Sequence, residues 1–226
     1  MRTRKNRDPL WFLLGATAVV IAVALLPFGW ALVYPIRLFV TFIHEGGHAM
    51  AATLTLGQVE RLHVFLDASG ETLTRGGFSL AIASAGYLTS TAFGALLLML
   101  GSYTTRAKAA LTACAGIILL ITFFTAGDPV TWVMGIVLTF VLIGVATIST
   151  PQVAHFFLSF LAVQCCLNAF LDLRTLFLLS TSTTVHSDAV TMQQITMVPA
   201  TVWAVSWMFI SLLALVLALR SYVRHL

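Results

Sequence analysis

Apolar runs of about twenty residues, parted by short polar breaks, recur along the whole chain. A helix needs about 20 mostly apolar residues to cross roughly 30 Å of hydrocarbon. The pattern therefore predicts spans at about residues 10–33, 36–56, 78–100, 109–125, 130–148, 152–179 and 198–219. Pro27 and Gly29 interrupt the first span near its end, and Tyr34-Pro35 separates it from the second, because the residue before proline disfavours helix. Gly127-Asp128-Pro129 divides the fourth from the fifth, and Pro151 opens the sixth. Between the second and third spans the period changes. Val59 to Phe65 alternates between apolar and polar side chains, Ser69-Gly70 follows as a turn, and Glu60, Arg61, Asp67, Glu71 and Arg75 supply charge. Residues 57–77 thus predict a short polar β-hairpin. The expected fold class is an all-α polytopic membrane protein of six to seven transmembrane helices, one membrane domain over residues 1–226, with the hairpin after the second helix.

Composition agrees: 59% of residues are hydrophobic and 9% charged, with a mean hydropathy of +0.99. Those values exclude an ordinary soluble domain, and no polar stretch is long enough to bury a core of its own. The net charge of +4 is local, with Arg2, Arg4, Lys5 and Arg7 at one end and Arg220 and Arg224 at the other. Such flanks are topology signals and not a nucleic-acid surface. Seven spans with the N-terminus inside would leave Arg106, Lys108, Arg220 and Arg224 outside, so the charge count implies a re-entrant segment or a miscount at the fourth and fifth spans. The basic start followed by a long apolar run reads as an uncleaved first span and not a signal peptide, and the expected location is the cell membrane, as a multi-pass protein. Cys114, Cys165 and Cys166 lie in apolar runs and are expected to be small buried hydrophobes.

The chemistry concentrates in residues 44–48, His-Glu-Gly-Gly-His, inside the second span. Imidazoles at i and i+4 share one helix face one turn apart, the spacing two ligands of a single Zn²⁺ require. Glu45 is placed to take a proton from an attacking water. With six His and three Glu in 226 residues, chance would give HExxH roughly 0.002 times. Ionisable side chains at bilayer depth are costly and mark function by default. Gly46 and Gly47 would let another helix or an extended substrate come close.

A catalytic zinc commonly has three protein ligands. The remaining candidates are His155, Asp172, His186 and Asp188. Asp172 stands out because it is embedded in the sixth span, with Asn168 one turn earlier on the same face to support it or a substrate backbone. The bland alternatives are an Asp172–Arg174 pair, a satisfied interfacial His155, and an exposed loop for His186 and Asp188, where Ser187 or Asp188 caps the next segment.

HEGGHA in a membrane helix, a polar hairpin after it and a downstream span with an aspartate together resemble the site-2 protease superfamily of intramembrane zinc metalloproteases. Its short bacterial branch is similar in Asn168-Ala-Phe-Leu-Asp172-Leu, Ser187-Asp188-Ala189 and Pro199-Ala200-Thr-Val-Trp203. Ser84-Ala-Gly86-Tyr87 resembles the family's small-residue motif in the helix that packs on the active one. The likeness covers about residues 36–210 and implies His44, His48 and Asp172 as zinc ligands and Glu45 as catalytic base. Leu173 stands where the family has glycine, the Asn-Pro context is missing, and the Ser-Asp-Ala element keeps Asp188 as a rival ligand or a supporting group. No PDZ-like or CBS-like appendage is expected, so substrate choice is expected to reside in the membrane core or in a partner.

The function implied is a zinc-dependent endopeptidase that hydrolyses peptide bonds of membrane-embedded protein substrates. Its partners are the substrate and the lipid bilayer, with no nucleic acid. The hairpin could offer an edge strand to an unwound substrate. The alternative is a non-proteolytic membrane scaffold or metal-binding protein that retains the site; few other intramembrane charges exist to line an ion path.

Overall fold

The computed structural model describes residues 8–24, 26, 33–101, 106–179 and 187–224; the side chains of 167–179 and of several residues among 8–24 lie outside it. Asp8–Ala24 forms α1 and Tyr34–Leu54 forms α2, with Pro35 in its first turn, where a missing N–H costs nothing. The hairpin is β1 (Gln58–Val64) paired antiparallel with β2 (Gly70–Arg75). Then come α3 (Ser79–Gly101), α4 (Ala107–Thr125), α5 (Pro129–Ile148), α6 (Pro151–Leu179), α7 (Asp188–Thr196) and α8 (Ala200–Arg224).

The protein is mostly helical, and among the described residues α3, α4, α5 and α8 are long and apolar enough to cross a membrane. At 1.5 Å per residue they are about 28 to 38 Å long. That is fewer than the six to seven spans expected. The helix over residues 8–24 has 17 residues, and α2 dilutes its apolar run with Arg37, Glu45 and two imidazoles. The break between the fourth and fifth spans is real: Asp128 caps α5, its carboxylate accepting hydrogen bonds from the N–H groups of Val130 (2.8 Å) and Thr131 (3.0 Å), with Pro129 next in the chain.

The hairpin forms where expected, but its reversal lies one step earlier than Ser69-Gly70. The chain turns across Phe65–Ser69, with Ala68 in the left-handed region at φ 66° and the Asp67 carboxylate accepting from the N–H and hydroxyl of Ser69. Gly70 already belongs to β2.

α3 is the central helix, packed against α2, α6, α7 and α8. The main core gathers Phe39 and Phe42 of α2, Leu62 of β1, Leu97 of α3, Leu111 and Ile118 of α4, Leu142 of α5 and Leu158 and Leu161 of α6. A smaller apolar cluster of Ala83, Tyr87, Ala189, Met192, Ala204 and Trp207 seats the short helix α7 between α3 and α8. Leu120, Phe123 and Phe124 of α4, Phe140 of α5 and Phe209 of α8 face outward, as lipid-facing positions do. The three cysteines are free and buried, as expected.

Candidate metal centre and active site

α2 is a continuous helix through residues 44–48, so His44 and His48 leave one face one turn apart, their ring centroids 4.9 Å from each other. Both point at α7. Asp188 Oδ2 lies 3.1 Å from His44 Nε2 and 3.3 Å from His48 Nε2. Ser187 caps α7 by accepting from the Val190 N–H, which makes Asp188 its first residue. Ala189 and Met192, both fully buried, then hold that first turn in the groove of α3 and α8.

The donor set fits a metal ion. Two atoms each about 2.0–2.2 Å from a tetrahedral zinc lie roughly 3.3–3.6 Å apart, near the Asp188–histidine separations. The three ligand atoms all fall within 4.8 Å of one another. His48 Nδ1 donates to the Ile82 carbonyl at 2.6 Å, which turns its Nε2 toward the Asp188 carboxylate 3.3 Å away, where a proton or a metal ion can sit between the two.

Glu45 is buried beside this cluster. Its Oε2 accepts the Thr72 hydroxyl at 2.7 Å, and the same hydroxyl lies 3.2 Å from the Glu45 carbonyl oxygen. β2 therefore runs directly against the motif helix.

Glycine makes these approaches possible. A Cβ on Gly86 would fall 2.5 Å from His48 Nε2 and closer still to His44 Nε2, so no larger residue fits between α3 and the imidazoles. Gly47 would meet Thr89 and the Ala85 carbonyl of α3, and Gly46 would meet Ile121 of α4. Of the two readings of Gly46 and Gly47, the structure shows the close helix approach.

Of the residues singled out from sequence, His44, Glu45, His48, Gly86 and Asp188 converge. Asp188 does not sit in a hydrated loop, as expected; its helix folds back and carries it to both imidazoles. Asp188 is the carboxylate that meets the histidines among the described residues, while the side chains of Asp172, Asn168 and Arg174 lie outside them, as does His186. His155 is buried on α6 against the carbonyl of Gly101 at the end of α3, away from the cluster. Sequence reasoning missed Thr72, Gly70 and Tyr87. Tyr87 meets the His44 ring edge-on at 5.0 Å and stacks on Trp207 at 4.9 Å. Its place one residue after Gly86 was the available signal.

A family model described as Peptidase M50B-like matches residues 14–218. The chain belongs to this family, which bears out the likeness to the site-2 proteases, and it is an integral membrane protein of metallopeptidase kind. No curated protein and no solved structure matches the chain.

Proposed function

We propose that this protein is an intramembrane zinc-dependent endopeptidase of the site-2 type, residing in the cell membrane, in which His44, His48 and Asp188 hold the metal and Glu45 is the general base. The observation that carries the reading is the meeting of Asp188 with both imidazoles of the HExxH helix, beside a buried Glu45. A zinc ion held there would supply Lewis-acid polarisation of a scissile carbonyl and of water. Glu45 takes the proton of the attacking water on its carboxylate and delivers it to the leaving amine nitrogen. His48 keeps its ligating nitrogen free by donating from Nδ1 to Ile82. Asp188 brings the negative charge that makes a dication tolerable at this depth.

α1, α2 and α6 complete the membrane domain beside the four long apolar helices, which would make seven spans. β1 is covered on its outer side: the Gly127 N–H donates to the Leu62 carbonyl and the Thr131 hydroxyl accepts from the Val64 N–H. β2 has no backbone partner on its outer side among the described residues, which supports the earlier reading of an edge strand for an unwound membrane-embedded substrate.

The decisive experiment is cleavage of a membrane-inserted model substrate by the zinc-loaded protein. Glu45→Gln is expected to lower turnover by about a hundredfold or more with zinc still bound. Equal cleavage by that variant would remove Glu45 from the role, and a zinc-binding wild type that cleaves nothing would favour the scaffold alternative. Asp188→Ala should weaken zinc binding by more than about a hundredfold and Asp172→Ala by far less. The reverse order in a metal titration would return the third position to Asp172.

A further inference from the structure

The hairpin touches the catalytic helix at one place with more than packing. Thr72 of β2 gives its hydroxyl to Glu45 Oε2 at 2.7 Å and lies 3.2 Å from the Glu45 backbone oxygen. Gly70, two residues earlier, leaves no space on the neighbouring side: a Cβ there would stand 2.6 Å from Glu45 Cγ and 2.7 Å from Oε1. One turn before Glu45, the Thr41 hydroxyl donates to the Ala68 carbonyl at 2.7 Å and ties the hairpin turn to the same helix face. The Glu45 carboxylate is thus bounded by hairpin backbone on one side and bonded to a hairpin hydroxyl on the other.

The hairpin is itself held from behind. Thr72 is paired in register with Leu62, whose carbonyl accepts the Gly127 N–H at 2.9 Å. Two residues on, the Val64 N–H donates to the Thr131 hydroxyl at 2.8 Å, and between them His63 Nδ1 donates to Asp128 at 2.7 Å. These bonds fix β1 on the corner between α4 and α5, so β2 and its Thr72 cannot drift from Glu45 without breaking them.

We propose that Thr72 is the positioning residue of the general base: its hydroxyl holds the Glu45 carboxylate in the orientation proton transfer needs, which makes the hairpin part of the catalytic apparatus. The inference rests on the protease reading above. A carboxylate free to rotate loses alignment with the proton it must take, and misplacement on the order of 1 Å costs up to about a hundredfold in rate.

The test compares Thr72→Val, which keeps the shape and removes the donor, with Thr72→Ser, which keeps the donor. On a membrane-inserted model peptide, zinc-loaded Thr72→Val should lose about ten- to hundredfold in kcat with KM changed less than about twofold and zinc content unchanged. Thr72→Ser should stay within about threefold of wild type. Thr72→Ala supplies the same comparison if Thr72→Val does not fold. In metal-free protein a thermal-unfolding cycle with Glu45→Ala reads the contact without activity: Thr72→Val should lower Tm more in the wild-type background than after Glu45→Ala, where only the contact with the backbone oxygen of residue 45 remains. An active wild type matched by Thr72→Val, a Thr72→Ser as impaired as Thr72→Val, or additive Tm shifts overturn the positioning role alone. A wild type that binds zinc and cleaves nothing overturns the protease reading and the positioning role together.

Discussion

The α4–α5 pair and the α2–α3–α7 region are built from similar apolar helices, yet they handle polar groups in opposite ways. In α4 and α5 the hydroxyls beyond Thr131 of the first turn of α5 are returned to their own helix: Thr122 donates to the Ile118 carbonyl and Thr139 to that of Gly135, both at 2.8 Å. No charged side chain occurs between Ala109 and Thr125 or between Pro129 and Ile148, and the phenylalanines of this pair face outward. In the other region two imidazoles of α2 and the Asp188 carboxylate of α7 converge on one point beside the buried Glu45, with backbone contacts close enough to require glycine. A polar group in an apolar medium needs a partner. The first solution is local and needs no tertiary structure; the second exists only when three elements meet.

The largest expected effect contrasts two glycines. Gly86→Val should abolish zinc binding and cleavage, because its side chain would occupy the space of both Nε2 atoms. Gly144→Ala on α5, where a Cβ meets nothing within 4 Å, should leave zinc binding unchanged and stability equal or raised by up to about 1 kcal/mol. Metal titration and thermal unfolding of the two variants check the pair; retention of zinc by Gly86→Val would mean the cluster is not the metal site.

A smaller effect separates the two histidines. His48 is oriented by a hydrogen bond to Ile82, whereas His44 Nδ1 has no partner among the described residues and its ring is steadied by the edge of Tyr87. Tyr87→Leu should weaken zinc affinity by about tenfold and Tyr87→Phe by less than about threefold, since only the first removes the ring. Equal affinities in all three proteins would leave Tyr87 as plain core.

The smallest effect lies where the regions join. Partial burial pulls the Asp128 carboxyl upward, but hydrogen bonds from the Thr131 hydroxyl and N–H, from His63 and from the Val130 N–H outweigh it and hold it below its usual value. A carboxyl depressed on folding contributes stability above its unfolded value of about 4, and that contribution fades as pH falls through the lower folded value. Asp128→Ala should cost about 1 kcal/mol at neutral pH through the lost cap, and less as the solution is acidified into that range. A pH-independent cost in unfolding experiments would assign the effect to packing alone.

Sequence by itself determined whatever depends on neighbours along the chain. Hydropathy over windows of membrane length gave the helices, Gly127-Asp128-Pro129 the break between α4 and α5, alternation at Val59–Phe65 the hairpin, and the i, i+4 spacing the paired imidazoles with Glu45 beside them. Tertiary structure alone decided which carboxylate meets them. Asp188 lies 144 residues from His44, and its polar surroundings argued for hydration, because local polarity cannot register that a short helix will be drawn inward. Ala189 and Met192 carry that information as a two-residue apolar stripe, too brief to stand out as a pattern but enough to bury one turn between α3 and α8. Thr72 and Gly70 were legible as hairpin residues and illegible as neighbours of the base, since the register of a strand against a helix depends on how both are packed and not on either sequence.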